Sequence, residues 1–242
     1  MIVNYTAAGW EVITQRAHGN LSGMIAAQWL HAERTERWFE TMIAVAGHDD
    51  ARLEPDGRSL LTAIGTPLDF RMNGYDHEHC RLTLRSALSK SRYVALLSSM
   101  HLDFVYGKLA LGSDDGRTLM QVMSADRENW REELGITEVQ AQREYRLLEF
   151  CDALSLLLCQ RHYQPERRRV EISTGPDGRP RFLMRRDDGT LNVSPWPFEA
   201  DHFVVNVESR VIPQVVFTND EAFRFAYASA TVKINKWTFS KS

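Results

Sequence analysis

Five potential metal ligands are spread along the sequence: His18, the adjacent pair His48 and Asp49, His101, and Asp152. Imidazole and carboxylate groups are common protein ligands of divalent metal ions. Each of the five lies in or at the end of an apolar stretch that predicts a helix, where an unpartnered polar side chain is costly to bury. The pattern therefore predicts a metal site inside a helical bundle.

Asp152 lies within residues 147–159, an apolar segment that predicts a buried helix because apolar residues occupy most of its circumference. A carboxylate in such a helix costs on the order of several kcal/mol unless a cation or protonation relieves it. A metal ion or an arginine from a neighbouring helix could partner Asp152. His101 favours the metal ion, because it ends a second apolar segment with helical spacing, residues 93–101.

The remaining candidates lie at helix ends. Residues 38–46 form an apolar stretch that predicts a helix, and a glycine and three polar residues follow it. Neighbouring residues on a helix point about 100° apart, so His48 and Asp49 can reach one ion only near a helix end or a local irregularity, which the glycine permits. His18 lies in the first turn of an amphipathic helix predicted for residues 15–30, whose small residues allow close helix packing.

The order of these ligands resembles that of the HD superfamily of metal-dependent phosphohydrolases. Ala46-Gly47-His48-Asp49 is similar to its signature doublet, and Phe150-Cys151-Asp152-Ala153-Leu154-Ser155 is similar to its final Asp motif. The resemblance implies an HD-like helical bundle that holds one or two divalent ions, for which manganese, iron, zinc or magnesium would suit. The ligands implied for the first ion are His18, His48, Asp49 and Asp152. For a second ion, His101 is the first choice, and Asp49 could bridge the two ions.

A further ligand could come from His77 or His79. On an extended segment the two imidazoles would point the same way, because they are separated by one residue. Residues 73–79 are polar and typical of a loop, so an ordinary surface position is the alternative for both. His79 is the preferred candidate because it lies closer to the following helix.

A divalent ion at this site implies the hydrolysis of a small anionic or phosphorylated substrate. A bound metal ion lowers the pKa of its water to about 7 in favourable cases and polarises a phosphoryl oxygen. Asp49 or Asp50 could hold or deprotonate that water, while Lys108 and Arg143 are candidate positive charges for a substrate phosphate. Ordinary surface positions are the alternative for Lys108 and Arg143. The predicted function is that of a metal-dependent phosphohydrolase-like enzyme.

Two other functions remain open. The same ligands could hold a di-iron centre that activates oxygen, as in some HD-like proteins. Alternatively, the protein could be a non-catalytic binding or regulatory module in which the polar residues form a buried network of hydrogen bonds and salt bridges.

Three segments also resemble an uncharacterised bacterial family that carries only a domain-of-unknown-function label. They are residues 10–15 (WEVITQ), 66–70 (TPLDF) and 195–198 (PWPF), and the resemblance covers nearly the full length. It implies no activity. The PWPF segment could form an aromatic lip over the site or a structural plug between sheet and helices.

The composition excludes several classes of protein. The chain has 242 residues, of which 43% are hydrophobic and 25% charged, enough for one core and a small second module. A net charge of −3 gives no sign of nucleic-acid binding. The three cysteines form no spaced framework, which indicates reduced core thiols and a cytoplasmic location. We expect neither secretion nor membrane insertion, because the sequence shows no leader and no run of about 18 apolar residues.

The pattern changes after residues 163–165, so an α+β fold is predicted. Residues 1–163 are expected to form the helical domain with an N-terminal β-hairpin, and residues 164–242 a small antiparallel β module packed on it. The hairpin can join this sheet, because a small sheet gains from extra strands. The predicted strands of the module are residues 170–173, 181–185, 203–208, 223–229 and 231–239.

Basic residues cluster at the start of the β module. Between residues 161 and 186 there are eight arginines and only three acidic residues. Such a run is typical of a solvated strand face, but it could also attract an anionic ligand towards the helical site.

Overall fold

A computed structural model describes residues 1–51, 54 and 60–241 of the chain. The helices are α1 (Gln15–Ala27), α2 (Trp38–Ala46), α3 (His77–Leu88), α4 (Arg92–Ala110), α5 (Asp114–Leu134), α6 (Glu138–Cys159) and α7 (Asp220–Ser229). The strands are β1 (Ile2–Thr6), β2 (Gly9–Ile13), β3 (Arg169–Thr174), β4 (Pro180–Arg185), β5 (Leu191–Ser194), β6 (His202–Ile212) and β7 (Thr231–Ser240). Two short 3₁₀ helices cover His31–Glu33 and Phe70–Met72. The predicted α+β class is confirmed.

The strands of the described residues form one curled sheet in the order β1-β2-β6-β7-β5-β4-β3. The N-terminal hairpin joins it through antiparallel pairing of β2 with β6, where Trp10 lies opposite Ile212. The prediction that the hairpin joins the sheet is therefore confirmed. The sheet is mixed rather than purely antiparallel, because β5 and β7 pair in parallel at Leu191 and Phe239.

One predicted strand, residues 223–229, is wrong, because this segment lies in α7. Asn219 begins the helix by accepting a hydrogen bond from the backbone N of Ala222, and two acidic residues favour its first turn. Phe223 and Tyr227 recur at helical spacing. They pack together next to the β1–β2 edge of the sheet. The other four predicted strands are confirmed, while the four-residue strand β5 was not predicted.

Helices and sheet share a hydrophobic core. Its members include Leu21 and Ile25 of α1, Leu97 of α4 and Phe150 of α6, together with Val205 of β6. The division of the chain at residues 163 and 164 into two domains stays a prediction. No helix of the described residues combines the length and the apolar character that a membrane span requires.

The PWPF segment lies between helices and sheet. Phe198 is 1% exposed, its ring centroid lies 4.8 Å from that of Phe203, and its backbone forms an isolated bridge with Trp29. This packing is that of a structural plug.

Close packing of α1 against α2 brings the first two ligand positions together. A Cβ atom on Gly19 would lie 2.7 Å from the carbonyl oxygen of Ala46, and one on Gly23 would lie 2.9 Å from the Cβ of Ala46. Both distances are shorter than side chains tolerate, so the glycines permit the contact. The end of α2, with His48 just beyond it, consequently lies against the first turn of α1, which carries His18.

Candidate metal centre

The predicted ligands converge from four helices. Thr14 begins α1 by accepting a hydrogen bond from the backbone N of Ala17 at 3.1 Å, which places His18 in the first turn. His48 and Asp49 follow the end of α2, while His101 lies on α4 and Asp152 on α6. The three imidazoles are buried, and the Asp49 and Asp152 side chains are 16% and 13% exposed.

Four side-chain atoms form the centre of this cluster. The Nε2 atoms of His18 and His48 lie 3.1 Å apart, and each lies 3.3 Å from Oδ1 of Asp152. Oδ2 of Asp49 lies 3.4 Å from Nε2 of His18 and 3.7 Å from Nε2 of His48. A four-coordinate ion with bonds of about 2.0–2.2 Å keeps its ligand atoms roughly 3.3–3.6 Å apart. These five distances and the chemistry of the atoms are compatible with a divalent metal ion, which His18, His48 and Asp49 could hold.

Hydrogen bonds outside the cluster orient both imidazoles. Nδ1 of His48 lies 2.7 Å from the carbonyl oxygen of Val45, which can only accept, so the proton belongs on Nδ1. Nδ1 of His18 lies 2.6 Å from Oγ of Ser155, whose own hydroxyl donates to the carbonyl oxygen of Asp152. His18 is therefore the donor to Ser155. In the neutral form of each imidazole, Nε2 consequently presents a lone pair to the centre, as metal ligation requires.

The residues that the structure describes give this centre no fixed positive charge within ion-pair distance of its carboxylates. Within the described part of the chain, no lysine or arginine forms an ion pair with Asp49 or Asp152, whose salt-bridge partners are histidines. Two carboxylates and two imidazole lone pairs thus face one another, and each is an acceptor. Such an arrangement needs a cation from outside the fixed side chains, either a proton or a metal ion.

The pKa values of these side chains also indicate that the cluster favours a bound positive charge. Burial disfavours the charged form of His48, but the adjacent carboxylates of Asp49 and Asp152 outweigh it and raise the pKa of His48 to about 9. Burial opposes ionisation of the two carboxyls as well, yet the neighbouring histidines lower the pKa of both Asp49 and Asp152. Burial lowers the pKa of His101 to about 4, so that imidazole is neutral at pH 7.

His101 lies on the other side of Asp152. Its Nε2 lies 4.0 Å from Oδ2 of Asp152, and its ring centroid lies 5.1 Å from that of His48. Two overlapping groups could hold an ion: His18 with His48 and Asp49, and His48 with His101 and Asp152. His48 has only Nε2 to offer, because Nδ1 is bonded to Val45. Nε2 of His48 is therefore the atom that both groups would share.

A cavity of about 210 Å³ reaches this centre. All five ligands of the cluster line it, and His79 lines it as well, although it belongs to neither ligand group. Other lining residues are Gln15, Phe70, Arg71, Asn73, Leu102, Val105, Tyr106, Leu109 and Leu156. His79 is thus placed to contact a substrate or a further ion. His77 is not among the lining residues, and its Nδ1 lies 3.1 Å from the hydroxyl of Tyr75.

Three other predicted site residues are not brought to the cavity. Oδ2 of Asp50 accepts a hydrogen bond from Nζ of Lys90 at 2.6 Å. Lys108 is exposed on α4, and Arg143 is exposed on α6, where its guanidinium donates to the carbonyl oxygen of Glu33 at 3.4 Å. None of Asp50, Lys108 and Arg143 is among the residues that line the cavity. Their predicted roles are unsupported by this placement.

The cavity contains functional candidates that the sequence did not reveal. Nε2 of Gln15 donates to Oδ2 of Asp49 at 3.2 Å, and Arg71 is the positively charged side chain at the cavity. Gln15 lies three residues before His18 and so shares its helix face, a spacing that could have identified it. Ser155 lies three residues after Asp152 and so shares its helix face, a spacing that could likewise have identified it. Arg71 could not be identified in this way, because the 3₁₀ helix that contains it is too short to show a repeating pattern of apolar residues.

Several arginines of residues 161–186 form ion pairs away from the cavity. Arg167 pairs with Asp187 at 2.6 Å, Arg168 with Glu166 at 2.9 Å and Arg181 with Asp177 at 3.2 Å. None of the eight is among the cavity-lining residues. The solvated-face interpretation fits Arg167 and Arg168, whose side chains are exposed, but not Arg181, which is buried.

Comparison with known proteins gives a family but no activity. A family model described as "Protein of unknown function (DUF3891)" matches residues 1–214, which include all the candidate ligands. No curated protein and no solved structure matches the chain.

Proposed function

Since the chain belongs to DUF3891, a family of proteins of unknown function, we propose its activity from the site: metal-dependent hydrolysis of a small phosphorylated substrate. The observation that carries this proposal is the group of four acceptor atoms from His18, His48, Asp49 and Asp152, which lies at a cavity. The order of these ligands along the chain, with its resemblance to the HD superfamily, supports the same reaction class.

His18, His48, Asp49 and Asp152 would hold the ion. Two imidazoles and two carboxylates form a mixed donor set that suits zinc, manganese or iron and tolerates magnesium less well. When bound, the ion would polarise a phosphoryl oxygen and lower the pKa of a coordinated water. His101 and Oδ2 of Asp152 are the proposed ligands of a second ion.

The chain's own residues supply orientation and charge around that centre. Gln15 holds Asp49 through its amide, and Val45 and Ser155 keep the Nε2 lone pairs of the two buried histidines directed inward. Arg71 is the proposed contact for a substrate phosphate, because a guanidinium can donate two hydrogen bonds to one phosphate. It takes the role that the sequence suggested for Lys108 and Arg143.

A di-iron enzyme that activates oxygen is the second candidate. It is favoured by the position of His101, whose Nε2 lies 4.0 Å from the Asp152 oxygen that faces away from the first group. Two ions joined by one aspartate would fit either reaction. Spectroscopy of the iron-loaded protein for coupled irons separates the two candidates.

The proposal is tested by metal content and phosphatase activity together. Protein purified without chelator is expected to retain at least one divalent ion per chain and to hydrolyse p-nitrophenyl phosphate. His48→Ala is expected to lose both, since it removes the ligand shared by both groups. His202→Ala, which changes an exposed histidine at the start of β6, serves as the matched control and should retain both.

Three outcomes would contradict the proposal in whole or in part. Stoichiometric metal in His48→Ala would mean that the ion lies elsewhere. A parent protein that binds no metal would favour the non-catalytic binding module. Metal-loaded parent protein without phosphatase activity would retain the metal site but remove the hydrolytic function.

A further inference from the structure

The cavity above the candidate centre has a polar floor and an apolar wall. The cluster histidines and aspartates form the floor, while the apolar side chains among the lining residues are Phe70, Leu102, Val105, Leu109 and Leu156. We propose that the substrate is a phosphate monoester of an apolar alcohol or phenol, with its phosphate on the floor and its apolar group against the wall. This inference rests on the proposed hydrolytic function and names its substrate class.

The charge around the cavity favours a single phosphate group. Of the described residues that line it, Arg71 carries the one permanent positive charge, and Nε of that side chain is already bonded to Asp69 at 2.6 Å. One divalent ion would only neutralise the carboxylates of Asp49 and Asp152. A monoester phosphate could be met by the ion and Arg71, whereas a triphosphate would bring several charges that no lining side chain neutralises.

The apolar wall comes mainly from one face of α4. Leu102, Val105 and Leu109 recur at spacings of three and four residues, so their side chains point the same way. The span from Leu102 to Leu109 is roughly 10 Å along the helix axis. Leu102 is 3% exposed, whereas Val105 and Leu109 are 41% and 54% exposed, so the apolar surface continues from the cavity towards solvent.

Covering exposed apolar surface of this kind with an apolar group of the substrate makes binding more favourable, because both surfaces leave water. A polar sugar or glycerol moiety would instead lose water against Val105 and Leu109 without finding hydrogen-bond partners on them. The same wall therefore favours an alkyl or aryl group and disfavours a polyol of similar size. Tyr106, which also lines the cavity, adds an aromatic ring to this side.

The reaction is an ordinary ester hydrolysis. The oxygen of a water molecule forms a bond to phosphorus, and the bond between phosphorus and the alcohol oxygen breaks. The leaving oxygen takes a proton that originates from the water, which gives the free alcohol and inorganic phosphate. No oxidant, reductant or further co-reactant takes part.

The test compares hexyl phosphate with glycerol 3-phosphate, two monoesters of primary alcohols that differ in the polarity of the alcohol. We expect kcat/KM of the metal-loaded protein to be at least about tenfold higher for hexyl phosphate, since a few buried methylenes account for such a ratio. Leu109→Gln should reduce this ratio several-fold. Leu111→Gln, which changes an exposed leucine at the end of α4 outside the cavity, should leave the ratio unchanged.

The outcomes separate this inference from the function on which it rests. Equal kcat/KM values for the two esters, or faster hydrolysis of ATP, would overturn the substrate class and leave the phosphohydrolase proposal intact. An unchanged ratio in Leu109→Gln would overturn the role of the α4 wall. If the metal-loaded protein hydrolyses neither ester nor p-nitrophenyl phosphate, the proposed function fails and this inference fails with it.

Discussion

Glu11 on β2 and Asp152 on α6 are both buried carboxylates, but the charges around them differ. Glu11 is 1% exposed and forms ion pairs with Arg161 and with Lys233, whose Nζ lies 3.2 Å away. Two neutral donors complete its surroundings, Nδ2 of Asn235 and Oγ of Ser209, each at 3.1 Å. Burial opposes the ionisation of Glu11, yet the hydrogen bonds from Asn235 and Lys233 and the charges of Arg161 and Lys233 lower its pKa.

Asp152 has no such permanent partners among the described residues. Its neighbours are the imidazoles of His18, His48 and His101, and a second carboxylate, Asp49, belongs to the same cluster. The positive charge must come from a proton, as the raised pKa of His48 shows, or from a metal ion.

The comparison shows two ways of burying a carboxylate. In the sheet, the fold itself supplies the cations, so Arg161 and Lys233 balance the charge of Glu11. In the helices, no described lysine or arginine pairs with Asp49 or Asp152, so the charge balance is left to an exchangeable cation. The first arrangement is structural, and the second is typical of a binding site.

The largest expected effect is the loss of metal-dependent stability in Asp152→Asn. A free divalent ion at about 1,000 times its Kd should stabilise the parent by about 4 kcal/mol, because only the folded state forms the site. Asp152→Asn removes one charged ligand and should lose most of this gain, whereas Asp103→Asn, on the exposed face of α4, should keep it. Urea unfolding with manganese or zinc and with chelator measures the difference. If metal stabilises Asp152→Asn as much as it stabilises the parent, Asp152 is not a metal ligand and does not differ from Glu11 in this respect.

The second effect concerns the permanent cations of the sheet. Arg161→Met combined with Lys233→Met leaves Glu11 buried without a positive partner, which should cost about 3 kcal/mol. The loss should be the same with metal and with chelator, because fixed side-chain cations balance Glu11 in the parent. Urea unfolding of the double variant under both conditions tests this. If added metal restored the stability that the double variant loses, the two clusters would be coupled.

The smallest effect is the acid dependence of Glu11. Its folded pKa lies below the unfolded value of 4.5, so its stabilising contribution is present above pH 4.5 and is lost as the pH falls through the folded pKa. In chelator, Glu11→Gln should therefore lose less stability than the parent between pH 6 and pH 3. Glu208→Gln, at an exposed position of β6, is the control and should follow the parent. If Glu11→Gln and the parent lost the same stability between pH 6 and pH 3, Glu11 would contribute no charge-dependent stability.

Much of the fold could be predicted from local patterns. Apolar residues at helical spacing identified the helices that carry the candidate ligands, and β-branched runs between turn signals identified β3, β4, β6 and β7. The prediction failed for residues 223–229, where Phe223, Phe225 and Tyr227 also alternate as in a strand. There the Asn219 cap and the acidic first turn favour α7.

The site was predicted unevenly for a physical reason. Asp152 could be identified because a carboxylate in an apolar helix needs a partner wherever the helix lies. Arg71 could not, because its position at the cavity depends on a 3₁₀ helix far from the cluster in sequence. Lys108 and Arg143 have the right charge, but charge alone does not determine which way a surface side chain points.

The sequence by itself determined the types of element and the set of groups that need a cation. These properties depend on local periodicity and on the cost of burying charge, both of which are readable along one segment. Only the tertiary structure decided which groups meet, because the contact of Gly19 and Gly23 with Ala46 brings His18 to His48 across thirty residues of chain. It also decided that the hairpin joins the sheet, that Glu11 meets Arg161 and Lys233, and that the ion-pair partners of Asp152 among the described residues are histidines. Such long-range contacts arise from the packing of whole helices and strands, which no single segment specifies.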